Sequence, residues 1–232
     1  MHALKRRIPL VVCTIAASVG LLLGSTTIAS ATVGSTYTPF NIACWTGSPV
    51  NAAQAQAFGV TVNHTLVNPA PGTNAYTINF DPQTVPGSVA SFTNIQYDIQ
   101  YNPATLNPAT PGNVSYSGGY GITGTPTLVA TTSTNSGTPI LRMTVPRVNP
   151  GTFAPPTIAV KTTSSSFDLN LNTSSFRESE FGYFPGNFYR FTSNGLPFPF
   201  PFSANASCIP SNTVPASPGS SPVLNAGAGP LH

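Results

Sequence analysis

Asn94-Ile95-Gln96-Tyr97-Asp98-Ile99-Gln100-Tyr101 is the stretch that decides the fold class. Ile95, Tyr97, Ile99 and Tyr101 alternate with Asn94, Gln96, Asp98 and Gln100, and a period of two belongs to a half-buried β-strand, not to a helix. The apolar members are expected to face the core together, with the polar members turned outward. Asn102-Pro103 closes the strand, because proline has no N–H to give to a ladder.

The same texture extends in both directions. Upstream, Phe58, Val60, Val62, His64 and Leu66 alternate with Gly59, Thr61, Asn63 and Thr65, and Tyr76, Ile78 and Phe80 repeat the pattern. Downstream, strands are expected over residues 114–120, 127–132, 140–145 (ended by Pro146) and 157–162, then at Phe167, Leu169 and Leu171. Residues 117–124, rich in glycine, read as a turn. They lack the Lys-Ser/Thr ending of a phosphate-binding loop. A short helical turn is expected from Ser48-Pro49 toward Ala57. Short strands bounded by Pro, Gly and Asn predict an all-β, antiparallel β-sandwich, as one domain or two small subdomains. A parallel α/β sheet is excluded, because no helical period of useful length follows the N-terminal segment.

That segment, residues 1–31, has the layout of a secretory signal peptide. Lys5, Arg6 and Arg7 precede an apolar core, and Ala29-Ser30-Ala31 forms the small-residue cleavage site. The β-sandwich domain is then expected over residues 32–208, with a loose Pro/Ser/Gly-rich tail over 209–232. No transmembrane segment is expected after cleavage. The formal net charge of +3 comes from the same three basic residues. Beyond them, Arg142, Arg147, Lys161, Arg177 and Arg190 balance Asp81, Asp98, Asp168, Glu178 and Glu180. A neutral, charge-poor surface lacks the electrostatic footprint of a nucleic-acid binder.

Cys44 lies in the apolar run Phe40-Asn41-Ile42-Ala43-Cys44-Trp45, and Cys208 lies near the far end of the domain. Two cysteines in an exported chain read as one disulfide enclosing nearly the whole folded body. With Cys13 lost in the leader, no C-x-x-C and no zinc constellation remain, so no metal or cofactor is expected. His64 sits on the apolar face of its strand and reads as a satisfied core or rim histidine. Asp168, Glu178 and Glu180 are the carboxylates closest in sequence. They read as solvated acids, since a glycosidase needs two that face each other across a sugar.

Aromatic residues crowd into residues 181–202, where Pro197, Pro199 and Pro201 alternate with Phe198, Phe200 and Phe202. The prolines predict an edge strand or a polyproline-like arm over residues 196–202. Two readings compete for the rings, a recognition surface and a core-sealing strand. The recognition reading assigns ligand binding to Tyr183, Phe184, Phe188, Tyr189, Phe198 and Phe200, stacking on sugar rings or holding an apolar, lipid-like ligand.

The leader, the cysteine soon after it, the Val60-Thr61-Val62 strand, Thr144-Val145-Pro146-Arg147 with Pro150-Gly151 and the strand at 157–161, and the closing Cys208 form a pattern. It resembles that of secreted actinobacterial all-β proteins of unassigned function. The resemblance implies an Ig-like sandwich and an extracellular or cell-envelope location, and it carries over no catalytic residues. The expectation is a secreted or envelope-associated protein with a binding or structural role and no catalysis. Its partners would be cell-wall glycan, lipid or a surface protein. The alternative is a secreted hydrolase acting on glycan or ester through Asp168, Glu178, Glu180 or His64.

Overall fold

A computed structural model describes residues 31–47, 52–68, 73–133, 137–163, 169–171, 188–196 and 202–210. Their strands are β1 (Ala31–Thr46), β2 (Ala52–Asn68), β3 (Thr73–Phe80), β4 (Gln83–Val85), β5 (Ser91–Gln100), β6 (Val114–Ser117) and β7 (Ile122–Thr123). There follow β8 (Thr127–Thr132), β9 (Pro139–Val148), β10 (Gly151–Phe153), β11 (Thr157–Thr162), β12 (Asn170–Leu171), β13 (Tyr189–Leu196) and β14 (Phe202–Pro210). Among the described residues no helix is long and apolar enough to cross a membrane.

The chain is an all-β, antiparallel sandwich. One sheet runs β6-β11-β3-β2-β1-β14-β13-β5-β9-β7, with β12 beside β5, β8 beside β9, and a separate β4–β10 pair. The sheet does not close into a barrel. Instead its two halves face each other, joined through the long β1 and β14. Phe58 on β2 meets Phe188 edge-on at 5.4 Å between ring centroids, and Phe80 on β3 stacks on Tyr97 of β5 at 5.0 Å. Ile42, Val60, Ile78, Ile95, Ile99, Met143, Val145 and Ile158 complete a core removed from water.

Ile95, Tyr97 and Ile99 are fully buried, and Tyr101 packs against the same core at its margin. The alternation therefore faces as its period dictates. The strand departs from regularity at Asn94, which adopts φ 51°. Asparagine tolerates this left-handed region better than most residues do. The pairing of β5 with β13 shifts register there, and the β5–β9 ladder runs from Thr93↔Arg147 to Ile95↔Val145. Asn94 thus stands opposite Pro146, which has no N–H to donate. The β5–β9 register is unbroken across this position, and Pro146 falls between the residues of β9 that pair with β7 and with β8, so β9 continues through it to Val148 where the sequence predicted an end.

Two other expectations are corrected. Residues 52–57, expected to be helical, are strand, because each pairs with a residue of 41–46 on β1. The cross-strand ladder overrides the weak local preference of an Ala/Gln run. β14 extends to Ile209 and Pro210, two positions into the expected tail, where they pair with Ala43 and Ile42. Residues 189–196 form a central strand, hydrogen-bonded to β14 on one side and to β5 on the other. The prolines that argued for an edge all lie after Leu196. Residues 1–30 of the expected leader, the tail after Pro210 and the proline-alternating residues 197–201 lie outside the described residues; Ala31, expected to end the leader, begins β1.

Cys44 and Cys208 are bonded, as their number and placement predicted. They are directly opposed in the β1–β14 ladder, with Cα atoms 4.0 Å apart, and both are buried. A buried disulfide is compatible with an oxidising compartment.

Candidate functional site

Phe188 and Tyr189 are 0% and 2% exposed. They belong to the core aromatic cluster with Phe58, Phe80 and Tyr97, so the recognition surface expected of them is not there. Tyr189 opens β13 opposite Tyr97 and faces the core, and Phe188, in the bend just before the strand, packs into the same cluster. Tyr183, Phe184, Phe198 and Phe200 lie outside the described residues, as do Asp168, Glu178 and Glu180.

His64 is held as a rim histidine. Its Nε2 donates to Asn74 Oδ1 at 2.7 Å, and its ring stacks on Tyr76 at 4.4 Å between centroids. The two described carboxylates are likewise committed elsewhere. Asp81 accepts a hydrogen bond from the Tyr37 hydroxyl at 2.8 Å, which raises the pKa of that phenol. Gly59 makes room for this pair, because a Cβ there would collide with the Asp81 carboxylate and the Tyr37 ring. Asp98 is clamped by Arg142, whose Nε and Nη2 donate to its two oxygens at 2.7 and 2.8 Å. Among the described residues no group of three or more His, Cys, Asp or Glu is arranged to hold a metal ion.

A pocket of about 320 Å³, with a lining of mixed polarity that includes Pro103 and Ala104, opens where the loop after β5 meets the end of β11. The loop is built from a tandem repeat, Asn102-Pro103-Ala104-Thr105 and Asn107-Pro108-Ala109-Thr110. In each copy the asparagine Oδ1 accepts the N–H of the alanine two residues on, at 3.0 and 3.1 Å, closing an Asx turn around the proline. Leu106, between the copies, is 1% exposed and anchors the loop in the core. Thr105 O then takes the Thr163 N–H and the Thr162 hydroxyl, both at 3.0 Å, which ties the loop to β11. Asn113 closes the ring. Its Nδ2 donates to Asn107 O at 3.0 Å, and its carbonyl accepts the Lys161 N–H at 2.8 Å.

The pocket is thus lined by backbone-braced Asn and Thr side chains and by Lys161. Sequence reasoning passed over it, taking Asn102-Pro103 as a strand stop. The available signal was the repeated Asn-Pro-Ala-Thr, two Asx turns in series beside Lys161, the one lysine after Lys5. Exposed large rings occur at Tyr37, Tyr116 and Tyr120. Tyr116 donates to Pro126 O at 2.6 Å, bridging from β6 to the segment before β8 at the open margin of the sandwich. Tyr120 is docked by two backbone hydrogen bonds to Ala154, each 3.1 Å.

No family model, curated protein or solved structure matches the chain.

Proposed function

We propose that this chain is a secreted or envelope-associated, non-catalytic β-sandwich that binds a hydroxyl-rich ligand, a glycan, in the pocket between the 102–113 loop and the end of β11. The observation that carries this reading is the lining itself: Asn and Thr side chains braced by hydrogen bonds to the backbone, with the Lys161 side chain beside them. Sugars are recognised by fixed donors and acceptors that match their hydroxyl groups, and preorganisation lowers the ordering cost of binding. The export half of the proposal rests on the N-terminal leader pattern and the resemblance to secreted actinobacterial proteins. The disulfide is compatible with it.

Retention of the purified protein on insoluble cell-wall polysaccharide tests the reading, with Ala104→Trp as the blocking variant. Ala104 lines the pocket, and its N–H bond to Asn102 survives the substitution. The wild-type chain is expected to be retained, and the variant to lose tenfold or more with its melting temperature unchanged. Equal retention of the two proteins, or no retention of the wild type, would remove the pocket as a glycan site.

A further inference from the structure

We infer that the pocket selects a sugar residue carrying a negative charge, a carboxylate or a phosphate, and that Lys161 holds that group. The inference rests on the glycan reading above and names the class of sugar. The polar groups around the pocket are unequal in kind. Asn113 Nδ2 is spent on Asn107 O, and Asn107 Oδ1 is spent on Ala109 N–H. Asn107 Nδ2, the Thr110 hydroxyl and the Lys161 ammonium have no bond to the described residues, and all three can donate. The Asn113 Oδ1 stands against them as an acceptor. A lining with surplus donors and a cation matches a ligand group that accepts several hydrogen bonds and bears charge.

The charge count points the same way. Among the described residues, Arg142 and Arg190 gather around Asp98, and Asp81 is engaged by Tyr37. Lys161 has no carboxylate partner there; it is exposed, as Arg147 is, but it lines a pocket, whereas Arg147 bonds Asn149. Its backbone is fixed in the sheet between β3 and β6, with Ala75 opposite it on β3. Lys161 is exposed at the pocket wall, so an ammonium on a flexible stem rooted in a fixed strand stands at a site whose other walls are neutral. In such a site a point charge discriminates charged from neutral ligands without needing a planar, two-pronged contact.

The experiment is an amide NMR titration of the full chain with glucuronate, glucose 6-phosphate and glucose, run on the wild type and on Lys161→Met and Lys161→Arg. The first two probes separate a carboxylate from a phosphate. One or both charged sugars should produce saturable shifts at Asn113, Lys161, Thr162 and Thr163, with at least tenfold weaker saturation by glucose. Lys161→Met should abolish the difference, and Lys161→Arg should keep most of it. Equal saturation by glucose and the charged sugars, or undiminished charged-sugar binding in Lys161→Met, overturns the selection for charge while leaving a neutral glycan site standing. If none of the three sugars shifts these amides, the inference fails; polysaccharide retention that Ala104→Trp blocks would then still support the broader reading.

Discussion

Asp98 and Arg142 stand directly opposite each other on β5 and β9, on the face of the sheet turned away from the aromatic core, and share two short hydrogen bonds. Asp98 is 2% exposed, and Arg190 from β13 approaches its second oxygen at 3.6 Å while donating to Gln96 at 2.6 Å. One buried carboxylate thereby links three adjacent strands. Removing one partner of a buried pair leaves uncompensated charge, which costs about 3–5 kcal/mol. Asp98→Ala should destabilise by that amount in urea unfolding. A loss below about 1 kcal/mol would mean that the cluster behaves like an exposed ion pair.

Ile99 is fully buried in the layer between the two sandwich halves. Truncating it removes transfer free energy and leaves a cavity, so Ile99→Ala should cost roughly 2–5 kcal/mol. Gln100 alternates with it on the other face and is partly exposed, so Gln100→Ala should change stability by less than about 1 kcal/mol. Similar losses for both variants would contradict the facing assigned to β5.

The Cys44–Cys208 bond closes a loop with a sequence separation of 164. In the chain-entropy model this is worth about 5 kcal/mol, acting through the unfolded state. The Cys44→Ala/Cys208→Ala variant should therefore fold with a lowered melting temperature, its far-ultraviolet spectrum retained. Cys208 is 0% exposed, so the native bond should resist reductant until denaturant is added. Rapid reduction of the folded protein would show that β1 and β14 open locally.

Tyr97 and Tyr189 are buried together at 5.0 Å between ring centroids, and burial pushes both phenols above the ordinary tyrosine value. Gln83 Nε2 donates to the Tyr97 hydroxyl at 2.9 Å and opposes part of that rise. Because the folded values lie above the unfolded one, the stabilisation is complete below about pH 10 and is lost as pH rises further toward the folded values. Phenolate absorbance from these two residues should appear together with loss of the near-ultraviolet signal, as one alkaline transition. Ionisation of both rings in a still-folded protein would show that water reaches them.

The sequence was most legible where local chemistry and tertiary demand agreed. The alternation at residues 94–101 and 58–66 specified strand type and facing, because a half-buried strand imprints its period on the residues themselves. The cysteines specified their own pairing by number, with no alternative partner left in the domain. Elsewhere the local signal was weak or misleading. The Ala/Gln run at 52–57 alternates but carries no strongly apolar face, and it is strand because β1 supplies a ladder beside it. Pro146 ends a strand by local rules, yet β9 passes through it, because Pro146 falls where β9 pairs with neither β7 nor β8.

By itself, then, the order of residues determined an all-β chain with one long-range disulfide and a core drawn from alternating apolar positions. Those properties follow from side-chain period and cysteine count, which each segment carries alone. Only the tertiary structure decided that Phe188 and Tyr189 are core, since their fate depends on β13 lying between β14 and β5. Likewise, only the structure set Lys161 beside Asn107, Thr110 and Asn113, residues about fifty positions earlier in the chain. A pocket is a relation between segments, and no local pattern reports which loop the sheet will fold against a given strand end.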